Sequence, residues 1–485
     1  MNTLDYAVVA IYLIAVTAFG SHFAKFQKNT KSYFLTDQSV PWWAICFTVV
    51  ATETSTLTFI GVPANAYAGN WTFLQLAAGY VIGRMIVSTL FLPRYFRGAM
   101  VTSYQLLQQR FGSSVNSISA GLFLFTRSLA DGIRLYVTAL AISIVTGIPV
   151  NVAVLVLGVA MIIYTVRGGS AAVIWTDVVQ MFIYIAGALI VFFALLWQIP
   201  GGFGEVIRLG TAAGKFTVID LSFDPKVAYT LWAGVAGGIA LTLATHGTDQ
   251  FLVQRLLSAD SPKGAARGLV LSGFIVFAQF MLFLLIGAML YAYHQHFPLA
   301  TALPRNDAIL PRFIVDHLPH GLIGFIIAAI VAAALSPSIN AMASTTVNDF
   351  YVKYWKKDAD EVSLLKLSKQ LTVFWGVVQL GVALGAQYLD RSLLDSGLSV
   401  LSLTAGPVLG AFLVGVLTTR VQSTAMLIGM AVGTIVVGWI WWTNAAGFTW
   451  FALTGAAVTT AVSLSVSFVV PGPRSHVPGT LRSTH

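Results

Sequence analysis

The residues best able to do chemistry stand together at positions 51–58. There Thr52, Glu53, Thr54, Ser55, Thr56 and Thr58 are polar inside an otherwise apolar stretch. Threonine and serine hydroxyls satisfy backbone groups where a helix unwinds at membrane depth. An unwound turn bares carbonyl oxygens that suit a hard cation such as Na⁺, and half-helix dipoles attract ions of either sign. The plainer reading is that the hydroxyls bond back to their own helix and Glu53 pairs with an arginine.

Further ionisable residues fall inside apolar stretches: Arg84, Arg127, Asp131, Arg134, Asp177, His246 and Asp249. Charges at that depth are costly, so they pair, face a bundle interior or line a solute path. Arg84 and Glu53 lie at matching depths in neighbouring segments, which predicts an ion pair. Arg127, Asp131 and Arg134 follow helical spacing and share about one face. Asp131 neutralises one arginine. The other leaves a positive charge that serves either a structural network or a carboxylate on a solute. His246, Asp249, Gln250 and Arg255 are expected toward the inner end of their segment, away from solute.

These residues need long helices to hold them. Of the 485 residues, 57% are apolar and only 9% are charged, against about 25% in a soluble domain. Too little charge is available to coat a soluble surface, so lipid is the expected outer solvent. A span needs about 20 mainly apolar residues. About thirteen such segments can be read: α1 (4–23), α2 (41–67), α3 (71–93), α4 (115–146), α5 (149–166), α6 (171–198), α7 (227–252), α8 (269–293), α9 (322–347), α10 (364–389), α11 (393–418), α12 (424–443) and α13 (447–470). With the N-terminus outside, Lys and Arg are about threefold more frequent in the inner loops than in the outer ones. That excess predicts an inner C-terminus. A Gly-rich outer loop, 199–226, separates two blocks of five helices. Odd-numbered blocks must lie in opposite orientations, the geometry of an inverted repeat.

The net charge of +9 is spread over short loops between apolar segments, a topology signal rather than a nucleic-acid footprint. The single cysteine, Cys46, excludes an internal disulfide framework. No cleavable leader is read at the N-terminus, and the tail after Val470 is read as holding no soluble domain, so residues 1–485 form one membrane domain. No phosphate-binding loop or nucleophile constellation stands out, so neither ATP-driven transport by this chain nor an enzyme is expected. The remaining classes are a transporter, a transporter-like sensor working with a separate partner, and a channel.

Four runs of residues resemble the sodium:solute symporter family. They are Gly168-Gly169-Ser170 through Trp175-Thr176-Asp177-Val178-Val179-Gln180; His246-Gly247-Thr248-Asp249-Gln250 with Val253-Gln254-Arg255; Ser338-Ile339-Asn340-Ala341-Met342-Ala343 with Asp349; and Gly406-Pro407, Gly410 and Phe412-Leu413. The resemblance covers nearly the whole chain. It implies an all-α integral membrane protein of the LeuT-like fold, with inverted repeats at 41–198 and 227–418, the extra helices being α1, α12 and α13. It also implies cation-coupled symport of a small organic solute such as a sugar, sugar acid or monocarboxylate across the cell membrane. The α9 sequence lies closer to the monocarboxylate, iodide and vitamin branch than to the sugar branch. The implied partners are the solute and the lipid bilayer, with no organic cofactor and no nucleic acid. The oligomeric state is left open.

Carried over residue by residue, the resemblance implies sodium ligands at Ala51, Thr54 and Ile330, and a second site at Asp177 and Ser336. The sequence departs from the pattern where hydroxyls are expected, at Ala333 and Ala334, and again at Pro337. Methyl groups offer a cation nothing. A shift of α9 around Pro337, a coupling proton on Glu53, and uncoupled transport are the three explanations. Solute contacts are implied at Glu53, Ser55, Thr58, Phe73 and Gln75, with Arg134, Thr242 and Ser402 as further positions.

Overall fold

The computed structural model describes residues 2–98, 100–299, 303, 305–334, 337–356, 359–388 and 393–469. Among them no strand occurs, and an isolated bridge joins Val40 to Ala259. α1 runs Thr3–His22, capped by the Asn2 side chain, which accepts from Leu4 and Asp5. Large apolar side chains such as Ile11, Phe193, Ile435 and Trp442 stay exposed, as expected of a surface that faces lipid rather than water.

α2 is broken at the polar run. Its first half, Trp42–Glu53, and its second, Thr56–Ala68, are separate helices, and the span bends by 58° across the break. The Ser55 amide turns to the Glu53 carbonyl at 3.1 Å instead of reaching back to Ala51. α7 breaks in the same way, into Leu231–Gly247 and Gln250–Leu257. The Asp249 side chain caps the second half by accepting from the Phe251 amide at 2.9 Å. α9 is likewise divided, into Leu322–Ala334 and Ile339–Thr345. Pro337 has no N–H to offer the Ala333 carbonyl, so the first helix cannot run on regularly past it.

α5 and α6 follow one another directly within Val150–Gln198, interrupted only at Gly169, whose φ is +57°. That conformation is open to glycine and strained for other residues. α3 (Phe73–Leu90) packs on the first half of α7 so closely that a Cβ on Gly79 would lie 2.6 Å from the Val235 carbonyl oxygen. Small residues let helix backbones approach in this way. α4 spans Ser113–Thr146, and α8 spans Pro262–His296. α10 (Glu361–Gly385), α11 (Leu393–Leu417), α12 (Ser423–Thr443) and α13 (Thr449–Val469) complete the order.

Among the described residues seven helices are long and apolar enough to cross a membrane, or eight if the bent α2 pair counts as one span. This falls short of the thirteen read from the sequence for physical reasons. α2, α7 and α9 are each split into pieces too short to qualify singly. α4 carries Arg127, Asp131 and Arg134, α11 contributes only the shorter apolar helix Thr404–Leu417, and α5 with α6 counts as one helix.

Candidate solute and cation site

A cavity of about 100 Å³ lies at the breaks of α2 and α7. Thr52, Glu53, Ser55 and Thr58 wall it on the α2 side, and Arg127, Asp131 and Arg134 on the α4 side. Leu241, Thr242, Thr245, His246, Phe251 and Leu252 come from α7. Phe73 and Tyr80 of α3 and Phe280 of α8 close it with aromatic rings. An apolar wall with a few convergent polar groups is the usual character of a small-molecule site.

The charges around the cavity pair selectively. Glu53 forms an ion pair with Arg84, which is wholly shielded from solvent. His246 approaches both, with Nε2 3.8 Å from Glu53 Oε2 and 3.5 Å from Arg84 Nη2. Arg127 pairs with Asp249 and lies 3.5 Å from Asp131. The guanidinium groups of Arg127 and Arg255 both lie over the Phe251 ring, 4.5 and 4.2 Å from its centroid, a cation–π arrangement favoured in a desolvated site. Arg134 reaches the same cavity, yet its buried Nη1 has no hydrogen-bond partner among the described residues.

Two expectations are corrected here. His246 does not sit apart at the inner end. The break after Gly247 leaves it at the end of the first half-helix of α7, where it lines the cavity with Thr242 and Thr245. Gln75 does not face the cavity. Its amide donates to the Tyr229 carbonyl at 2.9 Å and its Oε1 accepts from the Asp220 amide at 3.3 Å, tying α3 to the 199–226 loop and the start of α7. Glu53, Ser55, Thr58, Phe73, Arg134 and Thr242 all reach the cavity. The Ser402 side chain lies outside the described residues. Tyr80, Thr245 and Phe280 also line the cavity without being marked in the sequence, because an apolar or hydroxyl residue carries no local sign of facing a cavity.

The cation positions divide as well. The break turns the Ser55 amide away from Ala51, which releases the Ala51 carbonyl from the helical pattern. The Thr54 hydroxyl donates to the Val50 carbonyl at 2.9 Å and accepts from Gln279 at 2.5 Å. The Ile330 carbonyl accepts from the Thr56 hydroxyl at 3.1 Å. Ala333 is buried and adds only a methyl group. Ser336 lies outside the described residues. Asp177 is buried, and its Oδ2 accepts from Thr48 at 2.6 Å and from Arg255 Nε and Nη2 at 3.2 Å each. A guanidinium therefore already lies against the carboxylate expected to take a second sodium.

The broken helices, the cavity and the buried ion pairs form one arrangement, on a fold that known proteins share. The chain is 31% identical to a sodium/sialic acid symporter of Aliivibrio fischeri, over 90% of this chain and 88% of that one. A solved structure of a Na⁺-coupled sialic acid symporter, substrate-bound and outward-open, superposes with a TM-score of 0.91 at 27% identity, covering 98% of this chain and all of that chain. A transporter of the nucleobase-cation-symport-1 family shares the fold at a TM-score of 0.58 and 14% identity, over 90% of this chain and 95% of that one. The fold is LeuT-like. Residues 33–433 match the sodium:solute symporter family, and with that match the chain is a multi-pass, sodium-coupled symporter of small organic solutes, belonging to the sodium:solute symporter family.

Proposed function

We propose that the cavity between α2, α3, α4, α7 and α8 is the solute site, and that it takes a small hydroxylated carboxylate. Arg134 carries this reading. It lines the cavity while Arg84 and Arg127 are already paired, and it keeps a buried N–H without a partner among the described residues. A buried donor left unmatched costs free energy that a carboxylate would recover. Ser55, Thr58 and Thr242 then meet solute hydroxyls, and Phe73, Tyr80 and Phe280 cover its apolar face. Sialic acid, for which the similar symporters are named, is one solute of this chemistry; a smaller sugar acid or a monocarboxylate is another.

The sodium ligands on this reading are main-chain oxygens of Ala51, Thr54 and Ile330, with Asp177 and Ser336 as the second set. Transport proceeds by alternating access of two five-helix repeats, 41–198 and 227–418, within thirteen spans, the N-terminus outside and the C-terminus inside. The test is sodium-driven uptake into proteoliposomes of labelled sialic acid, lactate and glucose. Uptake of a carboxylate but not of glucose is expected. Arg134→Gln should raise the KM for that carboxylate at least about tenfold, since a charge-assisted hydrogen bond is worth about 1.5–3 kcal/mol. Equal uptake of glucose, or an unchanged KM, would refute the assignment.

A further inference from the structure

A groove of about 690 Å³ runs along the outside of the molecule between α1 and α5, away from the solute cavity. Small side chains open it: Thr17, Ala18 and Ser21 on α1 face Ala160 on α5. Behind it the two helices touch, since a Cβ on Gly20 would lie 2.9 Å from Tyr164 Cβ. Leu155, Val159 and Ile163 recur every fourth residue and so share one face of α5. All three line the groove and are exposed. Arg167 continues the series and ends it. It is exposed, and it makes no hydrogen bond or ion pair among the described residues. No acidic side chain among the described residues lines the groove.

One cation at the end of an otherwise apolar groove suits an amphiphile with an anionic head. The length agrees. Leu155 to Arg167 covers about 18 Å of helix, and half of a hydrocarbon core of about 30 Å is about 15 Å. The groove is therefore as long as the acyl layer of one leaflet, with Arg167 at the level of the headgroups. Lys25 and Lys28 follow α1 at the same end and are exposed. Asp37, which shares a pocket with Lys28, offsets only one of these three positive charges. A guanidinium grips phosphate oxygens through paired N–H donors, and basic pockets between spans take anionic lipid headgroups.

We propose that this groove binds an anionic phospholipid, with an acyl chain lying between α1 and α5 and the phosphate at Arg167. On the topology proposed above the lipid belongs to the inner leaflet, although the binding itself does not depend on that topology. The headgroup position lies two residues before Gly169, the joint between α5 and α6. A bound lipid therefore holds α1 against the end of α5 at which that joint turns.

The test is the melting temperature of the purified full-length chain in an uncharged detergent, titrated with phosphatidylglycerol or with phosphatidylcholine of the same acyl chains. A ligand that binds the folded state raises its melting temperature in a saturable way. Phosphatidylglycerol should reach its half-maximal effect at a concentration about fivefold lower than phosphatidylcholine, the worth of one basic side chain near an anionic headgroup. Arg167→Gln should erase that preference, and Arg167→Lys should keep much of it. Ala160→Phe fills the groove and should abolish the rise with either lipid. Should Ala160→Phe fail to fold, Thr17→Phe makes the same comparison. Equal midpoints for the two lipids, a preference that survives Arg167→Gln, or a rise that survives filling of the groove would each overturn the site. So would an equal rise with inorganic phosphate, which would leave the acyl chain no part in binding. A lipid-insensitive dimer that Ala160→Phe converts to a monomer, read by light scattering, would also overturn it and give the groove to a second copy of the chain.

Discussion

Arg84, wholly buried on α3, pairs with Glu53 at the break of α2, and that contact couples the second wall of the cavity to the helix that unwinds beside it. Glu53 lines the cavity and Arg84 does not, so the arginine acts behind the carboxylate and fixes its direction. His246 lies 3.8 Å from the same carboxylate oxygen.

Glu53→Gln leaves the Arg84 guanidinium buried without its counter-charge. Breaking a buried pair in this way costs about 3–5 kcal/mol. A clear drop in melting temperature and in uptake is expected for Glu53→Gln alone. The double variant Glu53→Gln/Arg84→Gln should recover much of the melting temperature. Losses that simply add would show that the two charges are energetically independent.

Gly169 is the joint between α5 and α6. Its φ is +57°, and a Cβ there would lie 2.6 Å from the Tyr33 carbonyl oxygen and 2.7 Å from the Tyr33 ring. Gly169→Ala should therefore destabilise by about 1–3 kcal/mol through the backbone strain alone, with the clash added. Thermal unfolding in detergent reads the effect. A wild-type melting temperature would mean that the joint relaxes freely.

Asp349 sits just past α9 as read from the sequence, where its Oδ1 accepts from Asn116 at 2.8 Å and from Thr102 at 3.1 Å. Burial pushes its carboxyl up to about 6, against the pull of those two donors. The unfolded carboxyl titrates near 3.9, so between about pH 4 and pH 6 the folded state binds a proton that the unfolded state does not. Stability from this group therefore rises as pH falls through that window and is lost as pH rises through it. Wild type should gain stability, relative to Asp349→Asn, between about pH 7 and pH 5. Parallel melting curves for the two proteins across that range would contradict this.

The sequence by itself determined the class of the molecule and the place where it breaks. Hydropathy and the distribution of Lys and Arg are one-dimensional properties, and they suffice to say that lipid surrounds the chain. The polar run from Thr52 to Thr58 is likewise local. Its hydroxyls compete with the helical pattern where they stand, so the break at Thr54 and Ser55 was legible. Matching depth was enough to pair Glu53 with Arg84, since few charges occupy that level of the membrane.

Only the tertiary structure decided which charge each remaining group meets. Arg127 and Arg134 share one face of α4, and nothing in their spacing says that Asp249, from a helix more than 100 positions away, takes the first and leaves the second to the cavity. Asp177 finds Arg255 across a sequence separation of 78. Gln75 turns away from the cavity to Tyr229, and His246 lines the cavity at the point where the first half of α7 ends one residue later. In a low-dielectric interior an unpaired charge is expensive wherever it lies, so each group settles on whichever partner the packing of the helices brings within reach. That packing is a property of all the helices together, and no single stretch of sequence contains it.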